Sequence, residues 1–284
     1  MRDAAELASG PLASDPLVSG KGHRDENFPV ASLLIKAEYR PPIMAFYRFA
    51  RAADDIADHP SATTEEKLAL LARMRGGLDG DGAAEAVVLR QAMAARGIDP
   101  VHAHDLLDAF VRDVTVARYA DWADLIGYCR YSAMPVGRFV LDVHGEDRRL
   151  WPANDALCAA LQIVNHLQDC GKDYRTLDRV YIPLDTGLDV AELGGDRASE
   201  GLHAIIAGLA RRTRDLLDQS AAFVALIRDR RLAAEVAVIH RLARSLTYRL
   251  ERRDPLSERV HHGRIETLFL ATGAALPALF RRAA

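Results

Sequence analysis

The sequence predicts an all-α fold in a single domain. Three observations carry this expectation. Apolar residues recur at helical spacing in nearly every long segment, strand-like alternation is scarce, and Gly and Pro fall mostly between the periodic segments. Alanine and leucine, both strong helix formers, are abundant. With 49% hydrophobic residues in 284 positions, the chain can bury a large core. A formal net charge of −3 provides no global basic field, so nucleic acid is not an expected partner.

Residues 1–22 mix charges with Gly, Ser and Pro and lack an apolar run, which reads as a flexible leader ahead of a domain at 23–284. Helices are then expected at roughly 30–40, 42–58, 64–78, 83–96, 101–118, 121–145, 153–175, 199–228, 231–253 and 257–282. Thr63 or Thr64 with Glu66 offers a start to the third. Pro135 falls inside the sixth, where it should kink the helix. The segment 176–198 reads as a long loop, and loops of that length are often functional. The longest apolar run, residues 268–280, is interrupted by Pro277 and falls short of the ~20 residues needed to cross a bilayer. It suits a buried last helix or one lying against a membrane surface. Cys129, Cys158 and Cys170 make an odd count without a CxxC spacing, which fits a reducing cytoplasm.

Two acidic clusters interrupt this apolar pattern. In "YRFARAADDIADHP", residues 47–60, Asp54 and Asp58 are four apart on a helix otherwise lined with Ala, Phe and Ile. In "LQIVNHLQDCGKDYRTLDRVYIP", residues 161–183, Asn165, Asp169 and Asp173 spread over about 80° of a helix, and Gln162 shares the arc. A solvated face explains either pair alone. Taken together they point elsewhere, because opposed carboxylates in apolar surroundings repel unless a cation lies between them. Oxygen-only ligands select a hard ion such as Mg²⁺, which is usually shared with substrate phosphate oxygens. The expected chemistry is ionisation of a diphosphate, leaving a carbocation in an apolar cavity.

These residues resemble the squalene/phytoene synthase family of head-to-head prenyltransferases. "DDIAD" at 54–58 is similar to its first aspartate motif and "QIVNHLQDCGKD" at 162–173 to its second. "RVYIP" at 179–183, "YCRYSAMPVG" at 128–137 and "ENFPVAS" at 26–32 match the flanking regions, so the likeness runs from about residue 23 to about 280. It implies an isoprenoid synthase-type helical bundle with a central apolar cavity. Asp54, Asp58, Asp169 and Asp173 would form the Mg²⁺ and diphosphate clamp, with Gln162 and Asn165 supporting the second motif and Arg51 binding diphosphate. Tyr131 would lie near the reacting carbons, Asn27 and Phe28 would contact substrate, and Tyr248 would join the pocket. "ENFPVAS" and the Pro-containing central helix look most like the bacterial hydroxysqualene synthases of hopanoid synthesis. Those act on presqualene diphosphate and water without NADPH.

The resemblance also implies a prenyl diphosphate substrate and encounters with other enzymes of the squalene pathway, and the water-insoluble product makes peripheral contact with the membrane an expectation. The alternatives are a presqualene diphosphate, squalene or phytoene synthase that condenses two prenyl diphosphates, and a non-catalytic helical scaffold. A di-iron carboxylate bundle needs two Glu-x-x-His pairs, and the chain has Glu200/His203 and Glu258/His261. Both glutamates follow a serine at an expected helix start, where the helix dipole already accounts for them. Phe46, Phe49, Tyr131, Phe139 and Tyr248 are candidates to stabilise a cation, with roughly half of them expected to be plain core. The histidines, His166 among them, read as scattered surface or core groups.

Overall fold

The computed structural model describes residues 34–280. The helices are α1 (Arg40–Ala57), α2 (Thr64–Asp79), α3 (Ala84–Ala94), α4 (Val101–Thr115), α5 (Trp122–Ser132), α6 (Met134–Val143), α7 (Trp151–Leu177), α8 (Glu200–Gln219), α9 (Phe223–Leu226), α10 (Arg230–Leu250) and α11 (Arg264–Leu279). Among the described residues there is no strand, only an isolated parallel bridge between Arg118 and Val180. The expected all-α fold is observed.

Long α7 is the centre of the bundle, packed against α5, α6, α8 and α10. One core joins α1 to α4, α6 and the start of α10, and in it Phe46 stacks on Phe139 with ring centroids 4.2 Å apart. Such a ring pair contributes about 0.5–1.5 kcal/mol beyond its buried area. A second core lies under α5, α7, α8 and the end of α10, and includes Tyr119, Tyr128 and Tyr181. Phe46, Phe49 and Phe139 are all buried in the first core.

Local sequence explains most helix ends. Thr63 and Glu66 form a reciprocal capping box, worth about 1 kcal/mol relative to an alanine cap. The expected helix at 30–40 is not observed in its described part. Residues 34–39 form turns, and α1 starts at Arg40 because Pro41 and Pro42 fit only the first helical turn. The expected helix at 121–145 divides at Ala133, with Pro135 in the first turn of α6. The expected helix at 199–228 ends at Gln219, and a turn at Ser220 sends Phe223 and Ile227 into the core. The last helix starts at Arg264 rather than 257. The preceding segment is drawn into tertiary bonds instead: Asp254 accepts from Ala198 N (3.0 Å) and Leu256 N (2.9 Å), and Val260 O accepts from the Gln168 amide.

The long loop is observed, with two short 3-10 turns at Leu184–Thr186 and Val190–Gly194. Its first part runs beside 117–120. Val180 N donates to Ala117 O (2.9 Å), Leu184 N to Tyr119 O and Asp185 N to Ala120 O (both 3.0 Å).

At Gly137, α6 comes close against α7. A Cβ there would stand 2.1 Å from Asn154 Oδ1 and 2.6 Å from Cys158 Sγ. Gly137→Ala is expected to destabilise the fold by about 1–3 kcal/mol through overpacking, read as a lowered urea midpoint at unchanged slope.

Candidate active site

The first acidic cluster occupies the last turn of α1. Arg51 reaches forward to Asp54 (3.0 Å) and Asp55 (2.6 Å), at i+3 and i+4. Asp58 is the C-cap rather than an interior residue, and its N–H still bonds Asp54 O. The Ala57 carbonyl accepts from both Lys67 Nζ and Arg179 Nη2, each at 3.0 Å. Two cations therefore meet the negative end of α1, where the helix dipole favours them.

Arg179 is the group that sequence reasoning missed. It lies just beyond α7, is only 8% exposed, and donates to Asp58 Oδ1 at 2.5 Å. It thereby ties the first acidic motif to the chain that follows the second. Burial alone would weaken its charge, but Tyr181, Asp58 and Asp113 hold it firmly protonated. The run "RVYIP" carried this residue without revealing it. Only the fold brings Asp58 within reach.

Beside Arg179, Asp113 of α4 accepts one phenol on each oxygen, from Tyr181 (2.9 Å) and Tyr128 (3.0 Å). Burial holds this carboxyl above its ordinary range, against the pull of Arg179 and the two phenols. Tyr181 stacks on His166 with centroids 3.5 Å apart and planes 13° from parallel. The Gln162 amide lies 3.1 Å from His166 Nε2 and can donate to it, which leaves the ring proton on Nδ1, 4.0 Å from Asp173. His166 is thus no isolated core group. It connects two expected site residues, Gln162 and Asp173, to the Asp113 network.

The remaining expected residues fall as follows. Asp169 lies on the more exposed side of α7 with Lys172 Nζ 3.9 Å away, and Asn165 lies one turn earlier. Tyr131 is half-buried near the end of α5, packed against the second core with Arg130 6.0 Å over its ring. Tyr248 is found elsewhere. It stands 42% exposed on α10, and its ring lies 4.7 Å from Arg214 and 5.9 Å from Arg252. Asn27, Phe28 and "ENFPVAS" lie outside the described residues. Glu258 belongs to a turn before α11 and pairs with Arg253 (3.4 Å), so that Glu-x-x-His pair is not helical. Burial pushes all three thiols up to about 12, which makes them inert fillers at neutral pH.

The donors of the two motifs are all oxygen, as a hard ion requires. Among the described residues no three His, Cys, Asp or Glu side chains converge on one metal position. Paired carboxylates without a closed cage suit an ion whose other ligands are water and substrate oxygens.

This is the architecture of an all-α isoprenoid synthase, built round acidic motifs that end α1 and run along α7. The squalene/phytoene synthase family model matches residues 22–266, and the chain belongs to that family of enzymes. A hydroxysqualene synthase from Zymomonas mobilis is 58% identical across 95% of this chain and 93% of its own. One from Rhodopseudomonas palustris is 52% identical across 95% and 94%. A squalene synthase structure from Alicyclobacillus acidocaldarius superposes with a TM-score of 0.69 at 29% identity, covering 78% of this chain and 87% of that one. A dehydrosqualene synthase structure shares the fold with a TM-score of 0.74 at 18% identity, over 88% and 91%.

Two outcomes test the network. Arg179→Met leaves Asp58 and the Ala57 carbonyl without their buried donor, and is expected to cost about 3 kcal/mol in chemical denaturation. Asp113 has an ordinary value of 3.8 and a higher one when folded, so between the two the folded chain holds the extra proton. Its contribution is fully present below the lower value and is lost as pH rises through the higher. Asp113→Asn is therefore expected to flatten the fall in stability above pH ~4 in a pH series of melting curves.

Proposed function

We propose that this enzyme is a hydroxysqualene synthase, converting presqualene diphosphate and water to hydroxysqualene and pyrophosphate. The observation that carries the reading is the identity of 49–58% to three hydroxysqualene synthases over nearly the whole of each chain. The phytoene synthases among its relatives stand at 28–31%. The site chemistry supports the same reading, since both acidic motifs are present with cations at hand to receive an anionic leaving group.

In this reading Asp54, Asp58, Asp169 and Asp173 hold Mg²⁺ together with the substrate. When bound, the ion supplies Lewis-acid stabilisation of the departing pyrophosphate. Arg51 and Lys172 turn from their aspartates towards the diphosphate oxygens. The carbon–oxygen bond breaks with its electron pair leaving on pyrophosphate, and the cation remains against apolar and aromatic walls. Tyr131 steers that cation. Water adds to it and loses a proton, so the sequence consumes no hydride and NADPH is not required. Arg179 holds the Asp58 carboxylate in position, and the Gln162–His166 pair lies beside Asp173. Asn165 assists the second motif, and Asn27 and Phe28 contact the substrate. The enzyme works in the cytoplasm, in peripheral contact with the bilayer that dissolves its substrate and product.

The test is a product assay on purified protein with presqualene diphosphate and Mg²⁺, with and without NADPH, read by mass spectrometry. Hydroxysqualene is expected in equal amount either way, and Asp54→Ala or Asp169→Ala should each lower turnover by roughly 100-fold or more. Squalene formed only with NADPH would replace this reading with that of a complete squalene synthase. No turnover of presqualene, farnesyl or geranylgeranyl diphosphate would leave the scaffold reading.

A further inference from the structure

The last helix presents its apolar side chains outward. On α11 and its cap, Ile265 is 87% exposed, Leu268 69%, Phe269 79%, Leu276 47% and Phe280 78%. At 100° per residue these positions fall within about 120° of arc, so they form one stripe along the helix. Arg264 and Glu266 are the only charged residues between 264 and 279. A contiguous exposed apolar face of this kind marks a docking surface.

The helix beside it supplies the complementary charge. Arg241, Arg244, Tyr248, Arg249 and Arg252 form an outward stripe on α10 and its end, and with Glu266 and Leu270 of α11 they line a pocket of about 740 Å³. Arg244 pairs with Asp218, Arg249 with Glu266 and Arg253 with Glu258. Arg241 and Arg252 are exposed, and among the described residues neither has a carboxylate partner.

We propose that this face docks on an anionic phospholipid bilayer, with the α11 stripe entering the acyl boundary and the α10 arginines on lipid phosphates. α11 has 16 residues. That is about 24 Å at helical rise, short of the ~30 Å hydrocarbon core, so the helix lies in the membrane plane. Tyr248, apolar in its ring and polar at its tip, stands among the arginines at headgroup level. Charge complementarity selects this occupant. A second copy in a two-fold contact would set arginines against arginines. A free anion leaves Phe269 and Phe280 in water. The assignment is independent of which diphosphate the enzyme turns over.

The test is co-sedimentation of the full chain with phosphatidylcholine vesicles, with and without phosphatidylglycerol. Binding is expected to the anionic vesicles and to weaken with added salt. Arg241→Glu with Arg252→Glu should weaken it roughly tenfold or more. Leu268→Ser with Phe269→Ser should weaken it by roughly as much. Both pairs are on the surface, so turnover of detergent-dispersed presqualene diphosphate and the circular dichroism spectrum should match the parent. The proposal is overturned if the chain stays in the supernatant with anionic vesicles, or if both double variants pellet like the parent. It also falls if lipid-free sedimentation shows a dimer that Leu268→Ser with Phe269→Ser dissociates.

Discussion

A single buried guanidinium joins the first acidic motif to the chain that follows the second. A charge removed from water is tolerated only when it is paired and hydrogen-bonded. Arg179 meets that requirement with partners from separate parts of the chain: Asp58 and the Ala57 carbonyl at the end of α1, and the nearby charge of Asp113 on α4. Satisfying this one cation forces those pieces to converge. The segment that carries it is itself pinned along 117–120 by backbone bonds, so the convergence has little freedom to drift.

The electrostatics around it are graded by burial. Arg179 and Asp58 form the enclosed pair, whereas Lys172 and Asp169 lie near the surface at 3.9 Å. Exposed pairs of the second kind contribute at most about 1 kcal/mol, so a stronger ligand exchanges them easily. A diphosphate with its metal is such a ligand. The Arg179 bond to Asp58 Oδ1 is the more enclosed of the two and keeps that oxygen in place while the outer ions change partners. Between the two, His166 stacks flat on Tyr181, which bonds Asp113, and its Nδ1 lies 4.0 Å from Asp173.

The helical period was enough to read the fold class and most helices, because a packed bundle writes its inward face into the sequence every three to four residues. Prolines lie in the first turns of α1 and α6, but the sequence alone did not show that Pro135 would divide one helix into two rather than bend it. The start of α11 was misjudged because residues 254–263 are held by Ala198 and Gln168, distant in sequence, and propensity has no access to such bonds. The two acidic motifs were legible as spacing on a helix. Arg179, Asp113 and Tyr181 were not, since each acts through a partner more than 60 residues away. Tyr248, which the resemblance assigned to the pocket, has its ring between Arg214 and Arg252, a placement the sequence did not show.

A nearly balanced total charge also concealed how the charges are arranged. The net value of −3 excludes a field over the whole surface but says nothing of segregation within it. Acids gather at the end of α1 and along α7, while arginines gather on the outer stripe of α10. Beyond a Debye length of about 8 Å, each patch acts on its own surroundings with little influence from the other. In the proposed reading, one patch holds a cation against a diphosphate while the other meets an anionic surface. α11 adds what charge alone lacks, a row of side chains for which water is the poorer solvent.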